Sequence, residues 1–451
     1  MKRLNTILPL LCALAAVLAT ACAEKPKPRA AHAEWGYDAV VYEMNVRQQT
    51  PEGTFAAAEE RLPFLRDLGV DIIWLMPIHP IGEKGRKGSL GSYYAIRDYR
   101  AVNPEFGTME DFERFLRKAH EWGFRVILDY VANHTSPDAA WVTEKASEWY
   151  VRDSTGAPAV QYDWTDIAKL NYDCPEVREA MVDVMKFWIG KGVDGFRCDV
   201  AGEMPDDFWT AAFTELKTID PDIYLLAEGE GPNLHADGFD ATYAWKLLHL
   251  MEDVAQGRKS ATDIKGWIEE FQSEYPRTAM RLMFTSNHDE NSWAGTEFER
   301  MGDAAETMAA LTYVLPQGQP LIYTGQEVGH DRRFAFFEKD SVASWQPNRW
   351  TDLYRKLNAL RHDNPALAAG ERGGDAVYMA GAVADVLAFT REKEGNEVFC
   401  LFNLSAAPQP VIPTVAVGGE WIDAMTGRTV TVNPGEERQL APWEYRILIK
   451  N

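Results

Sequence analysis

Three carboxylates, Asp199, Glu228 and Asp289, each lie at or close to the end of an apolar, β-prone run of the sequence. Asp199 and Glu228 are 29 residues apart, about one βα unit, and Glu228 and Asp289 are 61 residues apart, about two units. In a barrel of parallel strands these spacings place all three acids at the same rim. Acidic groups that converge in this way must be paired or functional, and general acid–base catalysis is the chemistry that they favour.

Basic side chains accompany the three acids. Arg197 lies two residues before Asp199, so both side chains point to the same side of one strand. Two histidines, His134 and His288, follow the third and seventh apolar runs. Taken singly, an Asp at a strand end is commonly a helix cap or a turn residue, and a lone His is commonly a satisfied core or surface group. The joint placement of these residues favours an active site.

The elements that must position these residues are eight apolar runs, most of them separated by helical patterns. The runs are Ala39–Met44, Val70–Met76, Arg125–Val131, Gly195–Val200, Ile223–Glu228, Phe239–Tyr243, Arg281–Asn287 and Pro320–Tyr323. Eight strands that alternate with helices favour a closed parallel barrel over an open sheet. The predicted fold class is therefore α/β, a (β/α)₈ TIM barrel over residues 36–370.

Two further segments depart from the alternating pattern. Residues 133–172, after the third run, are irregular and rich in Trp, Asp and Pro. A loop this long is usually functional, and active sites of such barrels form from the loops at the carboxyl ends of the strands. We therefore expect an inserted B domain that walls the cleft. Residues 371–451 contain short β-prone runs between turn residues, which predicts a C-terminal antiparallel β-sandwich.

The amino-terminal residues indicate export. Lys2 and Arg3 precede an apolar run, and small residues lie directly before Cys22. This pattern predicts a signal peptide over residues 1–22 that resembles a bacterial lipobox, with Cys22 as the lipidation site and residues 23–35 as a tether. The expected location is the bacterial cell envelope, anchored to the outer membrane by lipid. An ordinary signal peptide and a secreted protein are the alternative.

Composition limits the classes of partner. The net charge is −22, so the surface repels nucleic acid, whereas a neutral polysaccharide is compatible with that field. Some of the 15 Trp and 17 Tyr residues are expected to line a sugar cleft, because flat rings stack on the apolar faces of pyranoses. The Cys spacing indicates neither a disulfide framework nor a zinc site. A monomer is expected.

Several motifs in a fixed order give the chain a resemblance to a known family. The motifs are Asp129-Tyr130-Val131-Ala132-Asn133-His134, Gly195-Phe196-Arg197-Cys198-Asp199, Leu226-Ala227-Glu228 and Phe284-Thr285-Ser286-Asn287-His288-Asp289. Tyr94 and the run from Pro320 to Glu327 fit further positions of the same pattern. Over nearly its whole mature length the chain resembles the α-amylase family of retaining glycoside hydrolases.

The resemblance implies a role for each site residue. Asp199 would be the nucleophile, with Arg197 lowering its pKa, and Glu228 would be the general acid and then the general base. Asp289 would bind sugar hydroxyls and favour the distorted transition state. Four residues would form the substrate-binding set. They are Arg197, His134 and His288, the two histidines by hydrogen bonds to the same sugar ring, and Tyr94 by stacking beneath it.

The chain departs from the family pattern after the nucleophile. Many amylases carry Lys-His three and four residues after it, and here Gly202 and Glu203 lie at those positions. In the family these residues contact sugars beyond the cleavage point, and the His carbonyl helps to bind calcium. Leaving-group contacts therefore differ here. Asn133 is a candidate calcium ligand that Asp-rich positions of the insertion could complete, or it forms a hydrogen bond to a loop.

The resemblance leaves several functions open. The leading hypothesis is hydrolysis of α-1,4-glucosidic bonds in starch, glycogen or maltooligosaccharides. A glucanotransferase, or an enzyme similar to neopullulanase or cyclomaltodextrinase, is the alternative within the family, because acceptor-side contacts decide between water and a sugar. A barrel enzyme that acts on another α-glucoside, such as sucrose or trehalose, is a further alternative. A non-catalytic glucan-binding lipoprotein is an alternative of another class.

Overall fold

The computed structural model describes residues 32–450. The predicted signal peptide, the predicted lipidation site Cys22 and most of the predicted tether lie outside these residues. The last residues assigned to the tether are already folded, because Ala33 is completely buried and its backbone nitrogen donates to Asp240 Oδ1 at 3.2 Å. The imidazole Nδ1 of His32 lies 2.8 Å from the same oxygen. The tether therefore ends before His32, because these contacts fix the chain to the barrel.

Eight parallel strands close into a barrel, as predicted. They are β1 Val41–Met44, β2 Ile72–Leu75, β3 Arg125–Tyr130, β4 Gly195–Cys198, β5 Tyr224–Ala227, β6 Ala241–Tyr243, β7 Met280–Met283 and β8 Gly318–Tyr323. Neighbours in sequence are neighbours in the barrel, and β8 pairs with β1 to close it. Nearly all strand residues are buried, which explains why the runs are apolar without strict alternation.

Helices cover the outside of the barrel and fill its loops. They are Val46–Gln49, Phe55–Glu59, Leu62–Leu68, Met109–Glu121, Ala140–Glu144, Pro175–Gly190, Asp206–Ile219, Pro232–Asp237, Trp245–Ala255, Ala261–Glu274, Glu297–Met301, Ala305–Val314 and Arg349–Asp363. The long helix Met109–Glu121 shows the local cause, since Thr108 and Asp111 form a capping box at its start. Within residues 32–450, none of these helices has the length and apolarity needed to cross a membrane.

The segment after β3 folds into an irregular layer on the carboxyl-terminal rim. A two-stranded antiparallel ribbon pairs His134–Thr135 with Ala168–Lys169, and short helices lie between these strands. The hydroxyl of Tyr172 donates to Ala132 O at 2.7 Å, which fixes the end of the segment to its start. The predicted insertion is therefore an ordered wall next to the barrel mouth.

The C-terminal region forms two antiparallel sheets. Their strands are β9 Val377–Tyr378, β10 Val386–Lys393, β11 Asn396–Asn403, β12 Gln409–Val411, β13 Gly419–Asp423, β14 Thr429–Val432, β15 Arg438–Leu440 and β16 Tyr445–Lys450. Six of them form one sheet in the order β9-β10-β11-β16-β13-β14, and β12 pairs with β15. Side chains of both sheets, including Val411, Trp421 and Leu440, share one apolar core. This is the predicted two-layer β arrangement.

Arg391 joins the C-terminal sheets to the barrel. Its guanidinium is completely buried and donates to the carbonyls of Val314 and Leu315, both at 3.1 Å, to Ala368 at 3.0 Å and to Gly374 at 2.8 Å. Burial lowers the pKa of Arg391 to about 9. One side chain therefore satisfies four buried carbonyls of the interface.

Arg391→Met is expected to lower the melting temperature by several degrees, because it leaves these carbonyls without a donor at a cost of about 1–3 kcal/mol each. Differential scanning calorimetry measures the effect. Arg428→Met, at an exposed position of the same region, is the matched control. Equal melting temperatures for the two variants would contradict this role of Arg391.

Candidate active site

The residues predicted to do chemistry surround one cavity at the carboxyl-terminal rim of the barrel. The cavity has a volume of about 430 Å³, within the range of small-molecule sites, roughly 300–1,000 Å³. Its lining includes Tyr94, His134, Asp199, Glu228, His288 and Asp289. Asp199 follows β4, Glu228 follows β5 and Asp289 lies in the loop after β7. The structure thus brings together the three acids that the sequence spacing placed at one rim.

Arg197 lies below this cavity and contacts protein carboxylates. Its Nη1 is 2.9 Å from Asp129 Oδ1 and 3.0 Å from Asp199 Oδ1, and its Nη2 is 2.9 Å from Glu228 Oε1. Its Nε donates to the Tyr243 hydroxyl at 3.1 Å, and the side chain is 0% exposed. Arg197, predicted to bind substrate, therefore has no exposed surface for a sugar and instead positions the acids.

The pKa of Asp199 shifts in the direction opposite to the one expected. Burial raises it, the charge of Glu228 raises it further, and Arg197 opposes both. The net shift is upward because one guanidinium shared by three carboxylates does not offset complete burial. Burial also raises the pKa of Asp129. In the free site these two acids hold a proton more readily than isolated carboxyls do.

A strained residue joins the two central acids. Val200 has φ 42° and ψ 42°, a left-handed conformation that is rare for a β-branched residue and costs roughly 1–3 kcal/mol. In this conformation its backbone nitrogen donates to Glu228 Oε2 at 2.6 Å. Because Arg197 contacts the other oxygen of Glu228, both oxygens of this carboxyl are fixed in place.

A chain of buried polar contacts supports the opposite wall of the cavity. His288 Nδ1 contacts Glu43 Oε1, and His288 Nε2 is 2.8 Å from the Tyr94 hydroxyl and 3.2 Å from Asp289 Oδ2. The Tyr94 hydroxyl donates in turn to Asp129 Oδ2 at 3.0 Å. Burial lowers the pKa of His288, but the charges of Asp289 and Glu43 outweigh it and raise the pKa to about 9. His288 is therefore a cation at neutral pH.

Sequence reasoning missed Glu43 and named Asp129 only as part of a motif. Glu43 is completely buried in β1, and Asp129 in β3 also accepts from Trp74 Nε1 at 3.2 Å. Glu43 carried one readable signal, since it is a charged residue inside the apolar run Ala39–Met44. Its partner, however, is 245 residues away in the sequence.

His134 belongs to the cavity lining but is almost completely buried. Its Nδ1 lies 3.1 Å from Asn133 Nδ2, which can donate to it, and its buried Nε2 has no hydrogen-bond partner among the described residues. Burial lowers the pKa of His134 to about 4, so the ring is neutral at pH 7. With Nδ1 as acceptor, Nε2 carries the proton, and the surrounding protein covers this atom.

The side chain of Asn133, the candidate calcium ligand, forms hydrogen bonds within the protein. Asn133 Nδ2 donates to Gln161 Oε1 at 3.0 Å, and Gln161 Nε2 lies 3.5 Å from Glu203 Oε2, which links the insertion to the loop after β4. Ca²⁺ takes about six to eight oxygen ligands. Over residues 32–450 no group of three or more His, Cys, Asp or Glu side chains could hold a metal ion. Calcium binding stays a prediction for experiment.

Aromatic rings that the sequence did not single out complete the cavity. Trp164, Trp293, Phe336 and Phe337 all line it. Trp293 is 57% exposed, which is unusual for so large a ring, and packs 5.3 Å from Phe336 between ring centroids. Such rings can stack on the apolar faces of sugars. Exposure of this kind cannot be read from local sequence, because it depends on which loops meet at the rim.

Comparison with known proteins agrees with this geometry. A family model described as the alpha-amylase catalytic domain matches residues 40–156 and 143–363. The chain belongs to the alpha-amylase family. It is similar to a solved alpha-amylase from Lactobacillus plantarum, with a TM-score of 0.82 and 30% identity over 92% of this chain and 99% of that one.

Curated relatives in the family have different activities. Alpha-amylase MalA of Haloarcula japonica is 32% identical over 444 residues, which cover 90% of this chain and 63% of the relative. An alpha-1,4-glucan:maltose-1-phosphate maltosyltransferase of Cereibacter sphaeroides is 30% identical over 409 residues, 81% of this chain and 66% of the relative. The chain spans less than two thirds of the length of each. Membership of the alpha-amylase family therefore does not decide which reaction this protein catalyses. That question depends on the residues of its own site.

Replacement of His288 by Gln is expected to change how stability depends on pH. The pKa of about 9 in the folded protein exceeds the ordinary histidine pKa of 6.5, so the stabilisation is fully present below pH 6.5 and is lost as pH rises through about 9. Thermal melts from pH 5 to 10 measure the difference between wild type and His288→Gln, which should shrink over that window. A constant difference would contradict a charged His288, and His120→Gln is the surface control.

Dialysis against EDTA is expected to leave the melting temperature unchanged, because the Asn133 side chain already forms a hydrogen bond to Gln161. Asn133→Ala should lower stability by about 1–3 kcal/mol through loss of its bond to Gln161. Melts before and after dialysis, with and without added CaCl₂, measure both effects. A fall in melting temperature that CaCl₂ restores would show a calcium site.

Proposed function

We propose that this protein hydrolyses α-1,4-glucosidic bonds of starch, glycogen or maltooligosaccharides with retention of configuration. The observation that carries the proposal is the shared contact of Asp199 and Glu228 with Arg197 at the floor of one cavity. Retaining enzymes need these two carboxyls about 5–5.5 Å apart. Two acids held by adjacent nitrogens of one guanidinium are compatible with that separation.

The proposed reaction has two steps. In the first, an oxygen of Asp199 attacks C1 of the sugar while Glu228 gives its proton to the glycosidic oxygen, so the C1–O bond breaks and an ester forms on Asp199. In the second, Glu228 takes a proton from water, whose oxygen attacks C1 and releases Asp199. The Val200 amide and Arg197 keep Glu228 in one orientation throughout.

The remaining cavity residues would bind the sugar ring. Asp289 would accept hydrogen bonds from its hydroxyls, and the neutral His134 would form part of the wall beside the ring. Tyr94 would lie beneath the ring, held by its own hydrogen bonds to His288 and Asp129. Preorganised contacts of this kind strengthen as charge develops at the reacting carbon.

Transfer to a sugar acceptor is the second candidate. The specific observation concerns the side of the cavity where the leaving group would lie. Gly202 and Glu203 replace the family's Lys-His pair there, and Glu203 accepts a hydrogen bond from the exposed Tyr162 at 2.7 Å. The similarity to a maltosyltransferase also supports it. Acceptor-side contacts decide whether water or a sugar resolves the ester.

A product analysis tests hydrolysis against transfer. Maltoheptaose incubated with the protein is expected to give only shorter chains by chromatography, whereas longer chains would show transfer. Asp199→Asn should reduce cleavage by at least about 10⁴-fold, as is typical of a lost nucleophile. Unchanged cleavage by this variant would reject Asp199, and cleavage of neither starch nor maltoheptaose by wild type would favour a glucan-binding role.

We also propose that lipid on Cys22 anchors the protein to the cell envelope. The supporting observations are the lipobox-like sequence and the contact of His32 with Asp240. Asp240 precedes β6, so this contact lies at the amino-terminal face of the barrel, opposite the cavity. A tether that leaves from this face would leave the cleft open to polysaccharide.

A further inference from the structure

The loops around the barrel mouth differ greatly in length. After β2, β3 and β8 they comprise residues 76–108, 131–174 and 324–348, whereas after β4, β5 and β6 only residues 199–205, 228–231 and 244 precede the next helix. One sector of the rim is therefore high and the other is low. Because Glu228 follows β5, the proposed proton donor lies in the low sector.

The high sector is closed on one side by contacts between the β2 loop and the insertion. Lys87 Nζ lies 3.3 Å from Asp166 Oδ1, and the Asp166 side chain is only 5% exposed. The Glu83 backbone nitrogen donates to Asp138 Oδ2 at 2.9 Å. Since Lys87 and Asp166 both line the cavity, this ion pair is part of its wall.

On its other side the β2 loop joins the β8 loop. The backbone nitrogens of Ser89 and Leu90 donate to Glu338 Oε1 at 2.9 Å and to Phe337 O at 3.0 Å. Gly88, with φ +59°, lies so close that a Cβ there would be 2.6 Å from the Cβ of Phe337. The β2 and β8 loops are therefore in direct contact at this point.

The β7 loop extends the same wall. Trp293 packs 5.3 Å from Phe336 and 5.6 Å from Phe337 between ring centroids. The backbone nitrogen of Phe334 donates to Asn291 Oδ1 at 2.8 Å. Around the barrel the strands follow one another in the order β7, β8, β1, β2 and β3, so the loops after them form one continuous wall. The loops after β4, β5 and β6 leave an open sector.

The structure of the substrate determines which end of a bound glucan faces the wall and which faces the open sector. Glu228 must face the oxygen on C1, so the leaving part of the glucan lies toward the open sector. The oxygen on C4, through which the chain continues toward its non-reducing end, lies at the opposite end of the glucose ring. That end therefore points into the wall formed by Lys87–Asp166 and Ser89–Glu338.

We propose that this enzyme acts at non-reducing chain ends and releases short products of defined length. The proposal rests on the proposed glycosidase function and adds the position of attack to it. The closed wall admits only as many sugar rings as fit between it and Asp199, whereas the leaving chain extends freely across the low rim. Interior bonds of a long glucan cannot reach Asp199 because both flanking chains would need an open path.

Substrates with modified ends test the proposal. Maltoheptaose carrying a 4,6-O-ethylidene group at its non-reducing end should be cleaved at least a hundredfold more slowly than free maltoheptaose. Maltoheptaitol, modified at the reducing end, is the matched control and should be cleaved within a few-fold of the free sugar. Equal rates on blocked and free chains would overturn the proposal and leave the glycosidase function intact. Cleavage of none of the three would reject that function.

A variant that opens the wall tests whether the loop contacts cause the preference for chain ends. The double substitution Lys87→Ala and Glu338→Ala removes the contacts on both sides of the β2 loop and should raise the blocked-to-free rate ratio at least tenfold. The exposed pair Lys118–Glu121, replaced in the same way, is the matched control and should leave the ratio unchanged. If the variant has the melting temperature of the wild type and also keeps the wild-type rate ratio, these contacts do not close the cleft. If it melts early, the end-modified substrates alone decide.

Discussion

A single buried guanidinium connects the parts of the proposed active site. Arg197 contacts Asp129, Asp199 and Glu228 from below, and its own charge has no access to water. A buried cation without its carboxylates would be strongly destabilising, and so would the carboxylates without the cation. Each therefore requires the others, and the requirement fixes two reacting acids at adjacent points of the cavity floor.

The support for this cluster comes from a chain of polar contacts behind the cavity. The charges of Asp289 and Glu43 keep His288 protonated, and His288 contacts Tyr94, which in turn contacts Asp129. The left-handed Val200 adds strain where its amide meets Glu228. Strain and buried charge at one rim lower stability, and the closely packed barrel around them supplies the compensation.

In this fold, the elements that hold the acids differ from the loops that shape the space for a glucan. The strands hold the acids rigidly, whereas long loops after β2, β3, β7 and β8 shape the space around them. Changes in those loops can alter which part of a glucan enters without moving Asp199 or Glu228. Family membership therefore does not determine whether an enzyme hydrolyses or transfers, or whether it prefers chain ends. The loops at the rim determine these properties.

The sequence by itself predicted the barrel and the meeting of three acids at one rim. Apolar runs and spacings of 29 and 61 residues are local or additive features, so they carry through to the fold without knowledge of any contact. The tertiary structure decided the partners of each group. Glu43 meets His288 across 245 residues and Ser89 meets Glu338 across 249, and no local pattern specifies either pair. The upward pKa shift of Asp199 was equally inaccessible, because burial and neighbouring charge exist only once the chain has folded.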